Sequence, residues 1–155
     1  MQIQITQQER KLLQDHTRHE EVCINKYEQY AQQASDPQLR NMFSQFASQE
    51  RQHRDSLDKL LQGQQPGTGG SVRQGQTSVR RHKRTETAGA DPEGDALMCR
   101  DAMMMEKFIS DSYDTGIFSS ANPVVRQTLQ HIQDEEQQHG EGLLNYLQEH
   151  GMKGG

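Results

Sequence analysis

The apolar side chains of this chain thin out at one level of each helix-forming segment. From Asp15 to Glu21 the chain reads Asp-His-Thr-Arg-His-Glu-Glu, two helical turns without an apolar residue, so no rotation of that stretch turns an apolar face inward. Apolar residues flank it at Leu12 and Leu13 on one side and at Val22, Ile24 and Tyr27 on the other. A later segment carries Phe43, Phe46 and Leu57 on either side of polar positions, and the last carries Leu129, Ile132 and Leu143 in the same way. No stretch alternates apolar and polar between turns as a half-buried strand does. The pattern predicts an all-α protein, its core apolar above and below a polar middle layer.

Capping signals divide the chain. Thr6-Gln7-Gln8-Glu9 is a capping box, so a first helix should start near residue 7 and run to about Ala34. Asp36-Pro37 is an N-cap followed by proline at the first helical position, opening a second helix to about Gln62. Asn122-Pro123 gives the same signal between a third helix over about 95–119 and a fourth over about 123–150, which Gly151 ends. Residues 63–94 are rich in Gly, Gln, Ser, Thr and Arg and nearly free of apolar side chains, the composition of a flexible linker. Two hairpins, 1–62 and 95–155, are thus expected to form one bundle. A helix of about 26 residues is roughly 39 Å long, and a linker of this length spans it easily, at up to ~3.3 Å per residue. The expected topology is hairpin, crossover, hairpin, with an approximate two-fold axis between the hairpins.

One offset, 86 residues, superimposes the halves. It carries Glu50-Arg51-Gln52-His53 onto Glu136-Gln137-Gln138-His139, and Glu20 onto Glu106. It also carries Asp15, Tyr27, Pro37, Arg40, Leu57 and Leu61 onto Asp101, Tyr113, Pro123, Arg126, Leu143 and Leu147. In each hairpin the two glutamates are equidistant from the turn and stand at one height. Residues three apart share a helix face, so each Glu-x-x-His presents both side chains together. Glu20, Glu50, His53, Glu106, Glu136 and His139 therefore converge on one level, the donor set of a two-metal centre in a four-helix bundle. Each ion would take one imidazole and one terminal carboxylate, with two glutamates bridging. Four carboxylates balance two divalent ions. Left ionised without cations in a bundle interior, they would cost several kcal/mol each. Oxygen-rich ligands with one imidazole per ion point to two iron or manganese ions, with zinc as an alternative.

Composition adds limits. The chain has 155 residues, 30% hydrophobic, and a formal net charge of −5, which gives no reason to expect nucleic acid as a partner. The basic run Arg80-Arg81-His82-Lys83-Arg84 could touch nucleic acid or an acidic partner, but reads first as a solvated charge run. No apolar stretch is long enough to span a bilayer, and no charged-then-apolar leader follows Met1, so a soluble, non-exported protein is expected. Cys23 and Cys99 lack CxxC spacing and read as small apolar side chains. Tyr27 and Tyr113, two turns past Glu20 and Glu106, face inward as hydrogen-bonding partners of the ligands, as redox-active phenols or simply as core residues. His16 and His19 have Ala102 and Met105 as counterparts and fall outside the symmetric set, with His16 a possible extra ligand. Met103, Met104 and Met105 read as packing residues.

The six positions and their helical placement resemble the ferritin-like superfamily, whose di-metal members place a glutamate on helices 1 and 3 and Glu-x-x-His on helices 2 and 4. Glu followed seven residues later by Tyr is also similar to rubrerythrin. Position 109, where rubrerythrins carry a further glutamate, is Ile here, and there is no cysteine-rich rubredoxin-like tail, which speaks against a rubrerythrin-type peroxidase cycle. In the second half, Met105-Glu106-Lys107-Phe108, Tyr113, Asn122-Pro123-Val124-Val125-Arg126, Glu135-Glu136-Gln137-Gln138-His139 and His150-Gly151-Met152 resemble the coat F family of bacterial spore-coat proteins. That resemblance covers about 95–152, with a divergent echo over 10–62. It implies a spore-coat component with a ferritin-like bundle, located in the spore coat or cytoplasm, whose partners are other coat proteins or further copies of itself. Two functions follow: a structural or protective coat protein holding metal, or a di-metal oxidoreductase that consumes peroxide or oxygen or oxidises Fe(II).

Overall fold

The computed structural model describes residues 2–67 and 90–151. They form four helices: α1 (Gln7–Gln33), α2 (Pro37–Leu61), α3 (Pro92–Ser119) and α4 (Pro123–Glu149). The fold is the expected all-α four-helix bundle, with α1 packed on α2 and α3 on α4 as two hairpins. The expected starts hold for α1, α2 and α4. Thr6 and Glu9 make the capping box, Asp36 caps Gln38, and Asn122 caps Val124 and Val125. The start of α3 needs correction. It begins at Pro92, inside the stretch 63–94 expected as linker, because Asp91 accepts from the Gly94 amide at 3.0 Å ahead of proline at the first position. This is a third Asp/Asn-Pro start, which the surrounding glycines conceal.

Hydrogen bonds place the helix ends. Arg10 near the start of α1 bonds the Leu61 carbonyl at the end of α2, and the Ile3 amide donates to Gly63. Asp95 in the first turn of α3 instead meets Ser35 in the α1–α2 turn. The second helix thus ends at one end of the bundle, and the third begins at the other, as a crossover requires. Most of the expected linker, residues 68–89, lies outside the described residues, and with it the basic run Arg80–Arg84.

Two apolar clusters fill the interior. One gathers Tyr27, Leu39, Phe43, Ala47, Cys99, Ala102, Leu143, Tyr146 and Leu147, and the other Leu13, Cys23, Leu57, Leu60, Ile109, Tyr113, Val125, Leu129 and Ile132. The interruption seen in the sequence is therefore a polar layer between two apolar ones. Cys23 and Cys99 are buried free thiols within those layers, acting as small apolar side chains. Two expectations of packing fail. Met103 and Met105 pack against the core, but Met104 faces out at 69% exposure because it falls on the opposite face of α3; Val22 is likewise exposed at 58%.

The hairpins are braced at both ends by buried carboxylates on positions 86 residues apart. Glu9 completes its capping box and also accepts from the Ala121 and Asn122 amides of the α3–α4 turn, at 2.8 and 3.0 Å. Asp95 accepts from the Ser35 amide, the Ser35 hydroxyl and the Asp36 amide of the α1–α2 turn, at 2.8, 2.8 and 3.1 Å. Burial pushes the Glu9 carboxyl up, but the Asn122, Thr6 and Ala121 amides outweigh it and hold it below its ordinary value. Each brace satisfies turn amides that the helices leave without partners. Replacing Asp95 by Ala should cost about 4.5 kcal/mol, since it removes three hydrogen bonds to a carboxylate, each worth roughly 1.5–3 kcal/mol. Asp95→Asn should cost clearly less, and the midpoints of urea unfolding measure both.

Candidate metal centre

Each helix delivers its share of the polar layer by periodicity alone. Glu20 lies two turns before Tyr27 on the buried face of α1, as Glu106 does before Tyr113 on α3. Glu50 and His53 share the inner face of α2, and Glu136 and His139 that of α4. All six side chains are buried, none more than 3% exposed. They meet as two overlapping sets, Glu20, Glu50, His53 and Glu136, and Glu50, Glu106, Glu136 and His139. Within each set the donor atoms lie within 4.8 Å of one another, so each set is positioned to hold a metal ion. Glu50 and Glu136 belong to both sets, while Glu20 with His53 and Glu106 with His139 close the two ends.

The imidazoles turn Nδ1 inward. That of His53 lies 2.9 Å from Glu50 and 3.3 Å from Glu136, and that of His139 3.1 Å from Glu106 and 3.3 Å from Glu50. Their outer nitrogens are anchored across the bundle. His53 Nε2 donates to Glu135 at 2.7 Å, and His139 Nε2 to Gln49 at 2.5 Å. A carboxylate only accepts, so His53 keeps a proton on Nε2 against Glu135; a cation that displaced the Nδ1 proton would meet the lone pair facing the cluster.

The tyrosines tie the halves together. Tyr27 donates to Glu106 Oε2 at 2.5 Å and Tyr113 to Glu20 Oε2 at 2.6 Å, so each phenol serves the glutamate of the other hairpin. Both phenols are also core residues, which joins two of the expected readings. Burial, with the glutamates adding to it, raises both phenols well above their ordinary value, so they stay protonated and donate. One oxygen of each end glutamate is thereby occupied. Glu20 Oε1, Glu106 Oε1, Glu50 Oε2 and both oxygens of Glu136 are buried without a hydrogen-bond partner. Such atoms are costly in a folded protein. Clustered between two imidazole nitrogens, they fit a cation.

His16 stays outside both sets. Its ring is buried and stacked on Tyr113, with centroids 4.2 Å apart. It fits there because residue 116 is glycine: a Cβ at that position would lie 2.5 Å from His16 Nε2. Burial brings its pKa down to about 4, so the ring is neutral. His19 is only half-buried and stands edge-on to Phe108. Glu135 and Gln49 escape a reading from sequence because each looks like one more polar residue beside a glutamate. The 86-residue offset pairs them, and Glu135 also falls within a stretch that resembles the coat F family.

Without cations the cluster must hold protons. Burial, then the neighbouring carboxylates, raises Glu50 to about 7 and Glu106 and Glu136 to about 8. Burial pushes His53 and His139 down, but the carboxylates outweigh it and lift both well above their ordinary value. Burial pushes Glu20 up as well, yet the charge of His53 brings it below the usual range. As pH climbs from about 4.5 to about 8, the unfolded chain releases carboxyl protons that the folded cluster keeps, so stability falls. The imidazoles act in the same direction above about 6.5, and Glu20 works in reverse only on acidification. Chelator-treated protein should melt roughly 5–10 °C higher at pH 5.5 than at pH 8.5, using the usual shift of a few degrees per kcal/mol. Differential scanning calorimetry checks this, and a higher melting temperature at pH 8.5 would contradict it.

The family model described as the Coat F domain matches residues 94–153, close to the stretch where the resemblance was seen. No curated protein matches the chain. Among solved structures, the chain is similar to a two-domain protein from Anabaena variabilis containing DJ-1/ThiJ/PfpI-like and ferritin-like domains, with a TM-score of 0.69 and 15% identity. The match covers 92% of this chain and 39% of that one, and at this identity it speaks for the fold alone. Over residues 94–153 the chain is thus similar to the Coat F domain, and its fold is that of a ferritin-like four-helix bundle.

Proposed function

We propose that this is a spore-coat-type protein with two iron or manganese ions at the middle of its bundle, serving a structural or protective role in the spore. Glu50 and Glu136 would bridge the ions. Glu20 and His53 would complete one position, Glu106 and His139 the other. The observation that carries this reading is the set of five buried carboxylate oxygens without hydrogen-bond partners, gathered around two inward-facing imidazole nitrogens. Two divalent ions neutralise four carboxylates and replace the protons the cluster otherwise retains. The match of the two halves at an offset of 86 residues supports descent from a duplicated hairpin. The Coat F domain supports other coat proteins, or further copies of this chain, as partners and the spore coat as its location. No helix among the described residues is long and apolar enough to cross a membrane.

A second reading is an oxidoreductase that consumes peroxide or oxygen, or oxidises Fe(II). The observation in its favour is that each position draws four protein residues, fewer donors than the six that iron and manganese commonly take. Ions with open positions bind small oxygen species and act as Lewis acids or redox centres. Tyr27 and Tyr113, hydrogen-bonded to the end glutamates, would keep those carboxylates aimed inward in either role.

Protein purified from iron- and manganese-supplemented medium should carry about two ions per chain by elemental analysis. Glu50→Ala or Glu136→Ala should remove both, because each is shared, while Glu20→Ala or Glu106→Ala should remove one. Turnover of peroxide or Fe(II) that is lost in Glu50→Ala or Glu136→Ala would select the oxidoreductase; bound metal without turnover would select the structural role. A melting temperature indifferent to added metal, with none bound, would remove the centre altogether.

A further inference from the structure

The two ends of the centre match in the ligands themselves but differ one layer out. Behind His53 stands Glu135, whose carboxylate accepts the Nε2 proton at 2.7 Å. Behind His139 stands Gln49, whose amide oxygen accepts at 2.5 Å. The geometry is the same in both cases, because each partner immediately precedes the shared glutamate of the opposite helix: Glu135 before Glu136 on α4, Gln49 before Glu50 on α2. The chemistry is not the same. Glu135 brings a full negative charge against one imidazole, and Gln49 brings only a dipole against the other. The difference continues to the surface. The second oxygen of Glu135 lies 3.4 Å from His131 Nε2, so its carboxylate is held between two rings. The position corresponding to His131 in the first half is Gln45, which is exposed.

A carboxylate hydrogen-bonded to the far nitrogen of an imidazole makes the near nitrogen more basic and fixes the ring, and losing such a partner typically weakens metal binding about 10–100-fold. An amide partner fixes the ring but adds little basicity. We propose that Glu135 and Gln49 make the two metal positions unequal, so that the position between Glu20 and His53 fills before the one between Glu106 and His139. This rests on the two-metal reading above and adds an order of loading to it. Glu135 and Gln49 are positioning residues: they touch the imidazoles and not the ions. Reversing the two side chains should reverse the order without altering any of the six ligands.

The test is a calorimetric titration of the metal-free full chain with Mn(II), supported by equilibrium dialysis for stoichiometry. Wild type should bind two ions in steps about 10–100-fold apart. Glu135→Gln, which keeps shape and hydrogen-bonding reach, should weaken the tighter step by a similar factor and bring the two together. Gln49→Glu should tighten the weaker step, a gain that loss of packing would not produce. Two equal steps in wild type, or a Glu135→Gln protein with both steps unchanged, would overturn the inference while leaving the metal centre intact. Failure of Mn(II) to bind at all would overturn both.

Discussion

Burying four carboxylates at one level of a four-helix bundle is the constraint around which this molecule is organised. Glu20, Glu50, Glu106 and Glu136 are almost fully excluded from solvent. Unpaired charges there are costly, and the cost is met only by protons or cations placed between them. Both apolar layers follow from this. Leu13, Leu57, Leu129 and Ile132 on one side, and Phe43, Leu39, Leu143 and Leu147 on the other, supply the burial that the middle layer cannot. The protein is therefore stabilised above and below a stratum that, without cations, works against it.

The same stratum explains the bonds between hairpins. Within each hairpin the helices pack closely, whereas the two hairpins meet through the two apolar layers and through polar bonds at the centre and the ends. Tyr27 and Tyr113 cross the centre to the opposite glutamates, and Glu9 and Asp95 cross at the ends to the opposite turns. Tyr146 and Asp36 add a hydroxyl–carboxylate bond from α4 to the α1–α2 turn. The tyrosine and end-carboxylate ties are reciprocal, what one half gives at position n being returned 86 residues later, whereas Tyr146 and Asp36 correspond to Leu60 and Asn122 and have no counterpart bond. Ions bridged by Glu50 and Glu136 would add the tie that lies deepest, joining α2 to α4.

Much of this was legible in the sequence, for identifiable reasons. A helix face repeats every few residues, so Glu50 and His53 could be placed side by side without coordinates. Equal spacing from two proline-marked turns then set the height of each glutamate. What stayed hidden depends on which segments meet. Glu9 already had a local explanation as the third residue of a capping box, and nothing in the sequence said that Ala121 and Asn122 would arrive beside it. Asp95 lay at the edge of a glycine-rich stretch that concealed the Asp91-Pro92 helix start. Gln49 and Glu135 differ from solvated neighbours only by the imidazole each reaches on another helix. His16 required Gly116, a small residue on α3 that a reading of α1 alone could not supply.

The most direct measurement is an anomalous difference map from crystals grown with Mn(II), recorded at the manganese edge. The account predicts two peaks in each chain, both against Glu50 and Glu136, one beside Glu20 and His53 and the other beside Glu106 and His139. A map with no peak among these six side chains, or with manganese only on the outer surface, would contradict it.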